Sequence, residues 1–69
     1  MEEVFAYQNG SDVVVNGDGL LQIFDMMGRL VNIREIHGVE TICTSSLQSG
    51  VYIFRMVGDD IKTQRIVVR

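Results

Sequence analysis

At 69 residues with a net charge of −3, the chain has room for one domain at most, and its acidity disfavours nucleic acid as a partner. Cys43 is the only cysteine, so no intrachain disulfide can form, and no Cys/His cluster suggests a structural metal. An apolar share of 46% argues against disorder, and no stretch approaches the length of a transmembrane helix.

The chain opens on MEEVFAYQ (1–8), two acids and no basic region, which is not a signal peptide. A domain that works outside the cytoplasm is then expected to be a piece of a longer protein. Proline is absent, yet breakers recur every eight to twelve residues: NGSD (9–12), NGDG (16–19), MGR (27–29), HG (37–38), SSLQSG (45–50) and GDD (58–60). Val, Ile, Phe, Tyr and Thr fill the intervals. That rhythm predicts an all-β sandwich or barrel with strands over 3–8, 11–16, 20–27, 30–37, 39–44, 51–57 and 61–68. No eleven-residue window carries a sustained helical stripe.

Asn9-Gly10 and Asn16-Gly17 suit tight hairpin turns that need positive φ. Gly28 suits a short hairpin in which any Cβ would clash. His37-Gly38 is expected to turn the next hairpin, and Gly58-Asp59-Asp60 the last. Connections this short make neighbouring strands antiparallel. NGDG faintly resembles an acidic calcium loop, but it lacks the later ligands and the distal glutamate, so a hairpin turn is the better reading.

Alternation assigns faces. Tyr52, Phe54 and Met56 share one face of 51–57, opposite Val51, Ile53 and Arg55. The aromatic face is the core candidate, because a buried Arg55 would need a partner. Both faces are largely apolar, so this strand is expected to be central. Leu21 and Ile23 fall together with Phe24 opposing them, and Ile66 and Val68 oppose Arg65 and Val67. RIVVR (65–69) is the strand expected beside SGVYIFRM (49–56).

Charge is uneven along the chain. Residues 1–28 hold five acids and no Lys or Arg, whereas 55–69 hold Arg55, Lys62, Arg65 and Arg69 against Asp59 and Asp60. Solvated strand faces account for most such surface charge. The sharper reading is a basic C-terminal face that meets a partner.

Chemistry is sparse. His37 and Cys43 are singletons, so neither a nucleophile–base pair nor a metal site can be drawn. His37 reads as a solvated turn residue and Cys43 as a small buried or half-buried hydrophobe. Tyr7 and Tyr52 read as core or edge aromatics. The glycines fall at hairpins, not before a helix, so no phosphate loop is available. The expectation is a non-catalytic module without cofactor, not an enzyme.

Three stretches, in order, resemble a known family. LLQIFDMMGRLV (20–31) carries a hydrophobic strand, then Asp-x-x-Gly-Arg, then an apolar pair. GVETICTSSLQSGVYIFRM (38–56) carries Leu-x-x-Gly-Val-Tyr before an apolar strand, and KTQRIVVR (62–69) resembles the closing basic-and-valine strand. Together they are similar to the C-terminal sorting domains of the type IX (Por) secretion system of Bacteroidota, over roughly residues 20–69. The resemblance implies an immunoglobulin-like antiparallel β-sandwich at the end of a larger exported protein, so residues 1–69 form one sorting-type domain behind an upstream cargo. Such a protein crosses the periplasm, is recognised by the outer-membrane translocon, and reaches the cell surface or the medium. In many members a surface sortase removes the domain.

Carried over by position, Asp25, Gly28 and Arg29 match the family's turn, and Leu47, Gly50, Val51 and Tyr52 match its second motif. Arg65, Ile66, Val67, Val68 and Arg69 match the closing segment, where translocon recognition is expected. Each also has a plainer role: backbone geometry for Gly28 and Gly50, core for Leu47 and Tyr52, a cross-hairpin bond for Asp25 and Arg29. The family's Pro-Asn-Pro lead-in is missing, and Thr44 stands where the pattern often has a large aliphatic. The missing lead-in puts the cleavage step in question. The alternative function is a generic immunoglobulin-like structural or adhesion module of a cell-surface protein. A thin core with exposed edges also leads us to expect a weak homodimer through strand edges.

Overall fold

The computed structural model describes residues 5–68. Five strands follow in chain order: β1 (Ala6–Asn9), β2 (Asp12–Phe24), β3 (Leu30–Cys43), β4 (Gly50–Val57) and β5 (Ile61–Val68). They form one antiparallel sheet. β3 lines one edge of β2 along its whole length. The other edge of β2 carries β1 on its first part and β4 on its last, and β5 lies outside β4. The sheet curls on itself into a half-barrel, and there is no helix among the described residues.

Five strands replace the seven expected, and a half-barrel replaces the two-layer immunoglobulin-like sandwich. The reason lies at two of the breakers. NGDG and His37-Gly38 do not reverse the chain: Gly17 faces Gly38 across the β2–β3 ladder, in the middle of both strands. The segments expected at 11–16 and 20–27 are therefore halves of β2, although 25–27 belong to the turn beyond it. Those expected at 30–37 and 39–44 are halves of β3. In β2 the inward residues run Val13, Val15, Gly17, Gly19, Leu21, Ile23, so the two glycines lie on the concave side. A Cβ on Gly19 would run into the carbonyl oxygen of Val57, which is why β4 can approach β2 from the very next residue, Leu20.

The last turn stands as expected, and the first lies one residue later than the expected Asn9-Gly10. β1 and β2 are joined through Gly10-Ser11, with Gly10 alone of the Asn-Gly pair at positive φ. Gly58-Asp59-Asp60 joins β4 to β5, closed by the Gly58 amide donating to the Asp60 carbonyl at 3.1 Å. The first predicted strand, 3–8, is shifted to Ala6–Asn9, and its residues 3 and 4 lie outside the described part.

Tyr52, Phe54 and Met56 of β4 point into the concave side, the core face read from alternation, and the pairs read as sharing a face, Leu21 with Ile23 and Ile66 with Val68, point there too. Val13 and Val15 of β2 lie on the same side. Phe5, Ala6, Ile36 and Ile42 join them. β4 is central, between β2 and β5. Cys43 is the exception: it is exposed at the end of β3, beside the Ser45 hydroxyl at 3.0 Å, because its neighbour Ile42 takes the inward position. Tyr7 is exposed on β1. Thr44 is buried, and its hydroxyl donates to the Ser11 carbonyl, so a polar side chain is satisfied where the family pattern has an aliphatic one.

No backbone ladder joins β1 to β5. Two glutamines span the gap instead. The Gln64 amide oxygen accepts from the backbone N–H groups of Phe5 (3.0 Å) and Ala6 (3.1 Å), while its nitrogen donates to the Ala6 carbonyl. Gln8 likewise donates to the Val67 carbonyl. The curl is thereby fastened by side chains that imitate a strand partner.

Candidate functional site

One end of the half-barrel gathers three segments that are distant in sequence: the 25–29 turn, the 44–49 loop between β3 and β4, and the tip of β5. The turn is built by Asp25. Its Oδ1 accepts from the backbone N–H of Met27 (2.9 Å) and of Arg29 (3.0 Å), and its Oδ2 accepts from Arg29 Nε at 2.9 Å. Backbone bonds from Gly28 to the Asp25 carbonyl and from Asp25 to the Arg29 carbonyl, both 3.0 Å, close the loop. An aspartate that caps its own turn in this way replaces several backbone partners with one carboxylate. The Arg29 backbone N–H, foremost, holds the Asp25 carboxyl below its ordinary value of 3.8, aided by the Arg29 side chain and the Met27 N–H.

Gly28 sits at φ +83°, in the left-handed region. A Cβ there would meet no neighbour, so glycine is required by its own backbone angle and not by crowding from another segment. With Gly28 turning the chain, Met26 and Met27 stand at the tip, Met27 81% exposed.

The second segment is anchored inward. Leu47 packs on the core, its N–H donating to the Thr44 carbonyl at 3.0 Å, and the buried Tyr52 sends its hydroxyl back to the Gln48 carbonyl at 2.8 Å. The third segment arrives through pairing: Gly50 faces Val68, Val51 faces Val67 and Tyr52 faces Ile66. Between turn and loop lies an open groove of about 570 Å³, lined by Asp25, Met26, Met27, Arg29, Leu47 and Tyr52 among others.

Of the residues singled out in sequence, Asp25, Arg29, Leu47, Gly50, Val51 and Tyr52 line this one groove. Arg65 is one pair further along, opposite Ile53. Arg69 lies outside the described residues. The closing ribbon divides by face: Ile66 and Val68 are buried in the core, whereas Arg65 and Val67 point outward. The site residues that sequence reasoning missed are Met26 and Met27, which alternation treats as strand residues. Their place between Asp25 and Gly28 was the available clue.

His37 is exposed, but on strand β3 and not at a turn. Its Nε2 lies 2.7 Å from Glu35 Oε1, and that bond, with the charge behind it, raises the imidazole above 6.5. Among the described residues no group of three or more His, Cys, Asp or Glu side chains is placed to hold a metal ion.

A small all-β module whose sequence motifs converge on one rigid end, around a strand pair tied down close to its tip, is a recognition domain in form. The chain belongs to the secretion system C-terminal sorting domain family of the type IX pathway: the family model matches residues 7–69, nearly the whole length. No curated protein and no solved structure matches the chain. Membership makes it a sorting signal for export, one that deals with the secretion machinery and an upstream cargo domain.

Proposed function

We propose that the export apparatus reads this domain in its folded form, at the end where the 25–29 turn, the 44–49 loop and the β5 tip meet. The observation that carries the reading is the convergence itself. The turn and loop motifs share one groove, the closing segment pairs beside it through Gly50–Val68 and Val51–Val67, and core packing alone would not require Met26, Met27 and Arg29 to stand in solvent there. Within the closing segment the roles divide. Ile66 and Val68 anchor the ribbon in the core, and Arg65 and Val67 offer side chains to a translocon; the recognition assigned to Arg69 falls outside the described residues. In this reading the domain is not a catalyst. It passes through the periplasm to the outer membrane or the medium, and a sortase then removes it.

The test is fractionation of cells that secrete a tagged cargo fused to this domain. Deleting residues 65–69 should hold the cargo in the periplasm. The outward pair Arg65→Glu with Val67→Asp should do the same while the isolated domain keeps its thermal transition. Surface display unchanged by the outward pair, with the deletion harmful only through unfolding, defeats the reading.

A further inference from the structure

The convex face of the sheet carries a second, independent surface. Its cross-strand rows are Leu30–Phe24–Ile53–Arg65, Ile33–Gln22–Arg55–Thr63 and Glu35–Leu20–Val57–Ile61, with Val51–Val67 beside them. All of these residues oppose the core side. Leu20, Leu30, Ile33, Ile61 and Val67 are exposed, Ile61 to 59%, and Phe24, Ile53 and Val57 are half-buried. Four adjacent strands thus present a broad apolar face of the kind a sheet normally covers with another layer.

Two cations stand in this face. Arg55 and Arg65 occupy diagonal positions on β4 and β5, and neither pairs with a carboxylate among the described residues. Beside Arg55 in the same row, Gln22 has a buried amide oxygen with no hydrogen-bond donor. A half-covered arginine on an apolar face, without a carboxylate partner, presents donors that an acidic group would complete, whereas the Gln22 oxygen beside it needs a donor and is not served by that group. Glu35, held by His37, and the Asp59-Asp60 turn lie at the end of the face away from Arg65.

We infer that this convex face is an interface for a second protein surface that brings a carboxylate, set among apolar side chains, onto Arg55 and Arg65. The charge pattern selects that occupant. A second copy docked with its two-fold axis at Arg55 and Arg65 would bring arginines against arginines, which is repulsive, and the face's own carboxylate, Glu35, is already engaged by His37 at 2.7 Å. An anionic lipid surface would meet Glu35, Asp59 and Asp60 together with the arginines. A discrete carboxylate in an apolar setting satisfies the cations and covers the exposed Leu20 and Ile61. The inference does not rest on the proposed recognition end, with which it shares only Arg65, Val51 and Val67.

The experiment is a titration of the ¹⁵N-labelled 69-residue chain, followed by amide resonances. The probes are a synthetic peptide of alternating leucine and glutamate, the leucine–lysine counterpart, and phosphatidylglycerol vesicles; a dilution series of the chain alone is run beside them. The leucine–glutamate peptide should shift the Leu20, Phe24, Ile53 and Val57 resonances saturably. Arg55→Gln should weaken that binding about tenfold, and Ile61→Ser, which leaves the 65–69 ribbon intact, by a similar factor, with the thermal transition retained in at least one of the two. Equal binding of both peptides, shifts confined to other faces, binding to vesicles alone, self-association alone, or no binding at millimolar peptide would each overturn the inference. Normal export of a cargo fused to the Arg55→Gln domain would leave the recognition end standing, and separates the two proposals.

Discussion

The two long hairpins of this molecule solve the same problem in different ways. In β4–β5 each strand has eight residues; Tyr52, Phe54 and Met56 of β4 and Ile66 and Val68 of β5 enter the core, and the outer edge of β5 is met by β1 through Gln64 and Gln8. In β2–β3 the second strand is fourteen residues long, yet of its side chains only Ile36 and Ile42 are buried, and β2 is its sole neighbour. Here local polar side chains guard the free edge. Asn32 Oδ1 accepts from the Ile33 N–H at 2.8 Å, and Glu40 Oε2 accepts from the His37 N–H at 3.2 Å while Glu40 also pairs with Arg34 at 3.4 Å. An exposed strand edge invites a foreign strand, and occupying its donors and charging it are common remedies. β4 and β5 are tied in on both sides, whereas β3 is a long free edge guarded by its own side chains.

The contrast is sharpest for core truncation. Phe54→Ala in β4 should cost about 3–5 kcal/mol, whereas Val39→Ala on the exposed face of β3 should stay within about 0.5 kcal/mol. Urea unfolding of both variants measures the gap, and similar midpoints would break the comparison. Next comes the fastening of the curl. Gln64→Ala leaves the Phe5 and Ala6 amides without their acceptor and should cost about 1–3 kcal/mol. Hydrogen exchange should show those amides losing protection, with β3 amides unchanged.

A smaller effect belongs to Asp25. Its carboxyl titrates below the ordinary 3.8, so its contribution is fully present above that pH and is lost as pH falls through the folded-state value. Asp25→Asn should lower the melting temperature slightly at neutral pH and flatten the acid limb of the stability profile, read by calorimetry from pH 6 to pH 2. His37 runs the other way. Its raised value gives a contribution present below 6.5 and lost as pH rises through the folded-state value. The smallest change in stability is expected from Glu40→Ala, which frees the His37 N–H and one charge on the β3 edge. The measurable consequence there is association: light scattering across a dilution series should show a concentration-dependent species for the variant beyond anything the parent chain forms.

Much of this was legible in the sequence, and the failures share one cause. The faces of β4 and β5 follow from alternation because burial on one side leaves a period-two record in Tyr52, Phe54, Met56, Ile66 and Val68. The 25–29 turn was legible in part: a turn at Gly28 and a bond between Asp25 and Arg29 follow from residues within five positions, whereas alternation carried 25–27 into the strand. NGDG and His37-Gly38 misled because a glycine grants the same freedom to a chain that turns and to a chain that bends; which occurs depends on what lies across the ladder, and here it is another glycine. Cys43 misled because its exposure depends on Ile42 and not on its own chemistry. Gln64 and Gln8 left no local trace, since a glutamine in a strand looks the same whether it meets water or a backbone more than fifty residues away.

By itself, then, the order of residues determined the all-β class, the core-facing sides of the strands, the Asp25 turn and the family, because each is written in neighbours a few positions apart or in an ordered set of short motifs. Tertiary structure alone decided that five strands make a curled sheet and not seven a sandwich, that β1 is fastened to β5, and that two distant motifs share one groove with the closing strand paired beside it. Those outcomes depend on contacts between segments remote along the chain, such as the approach of Val57 to Gly19 and of Gln64 to Phe5 and Ala6.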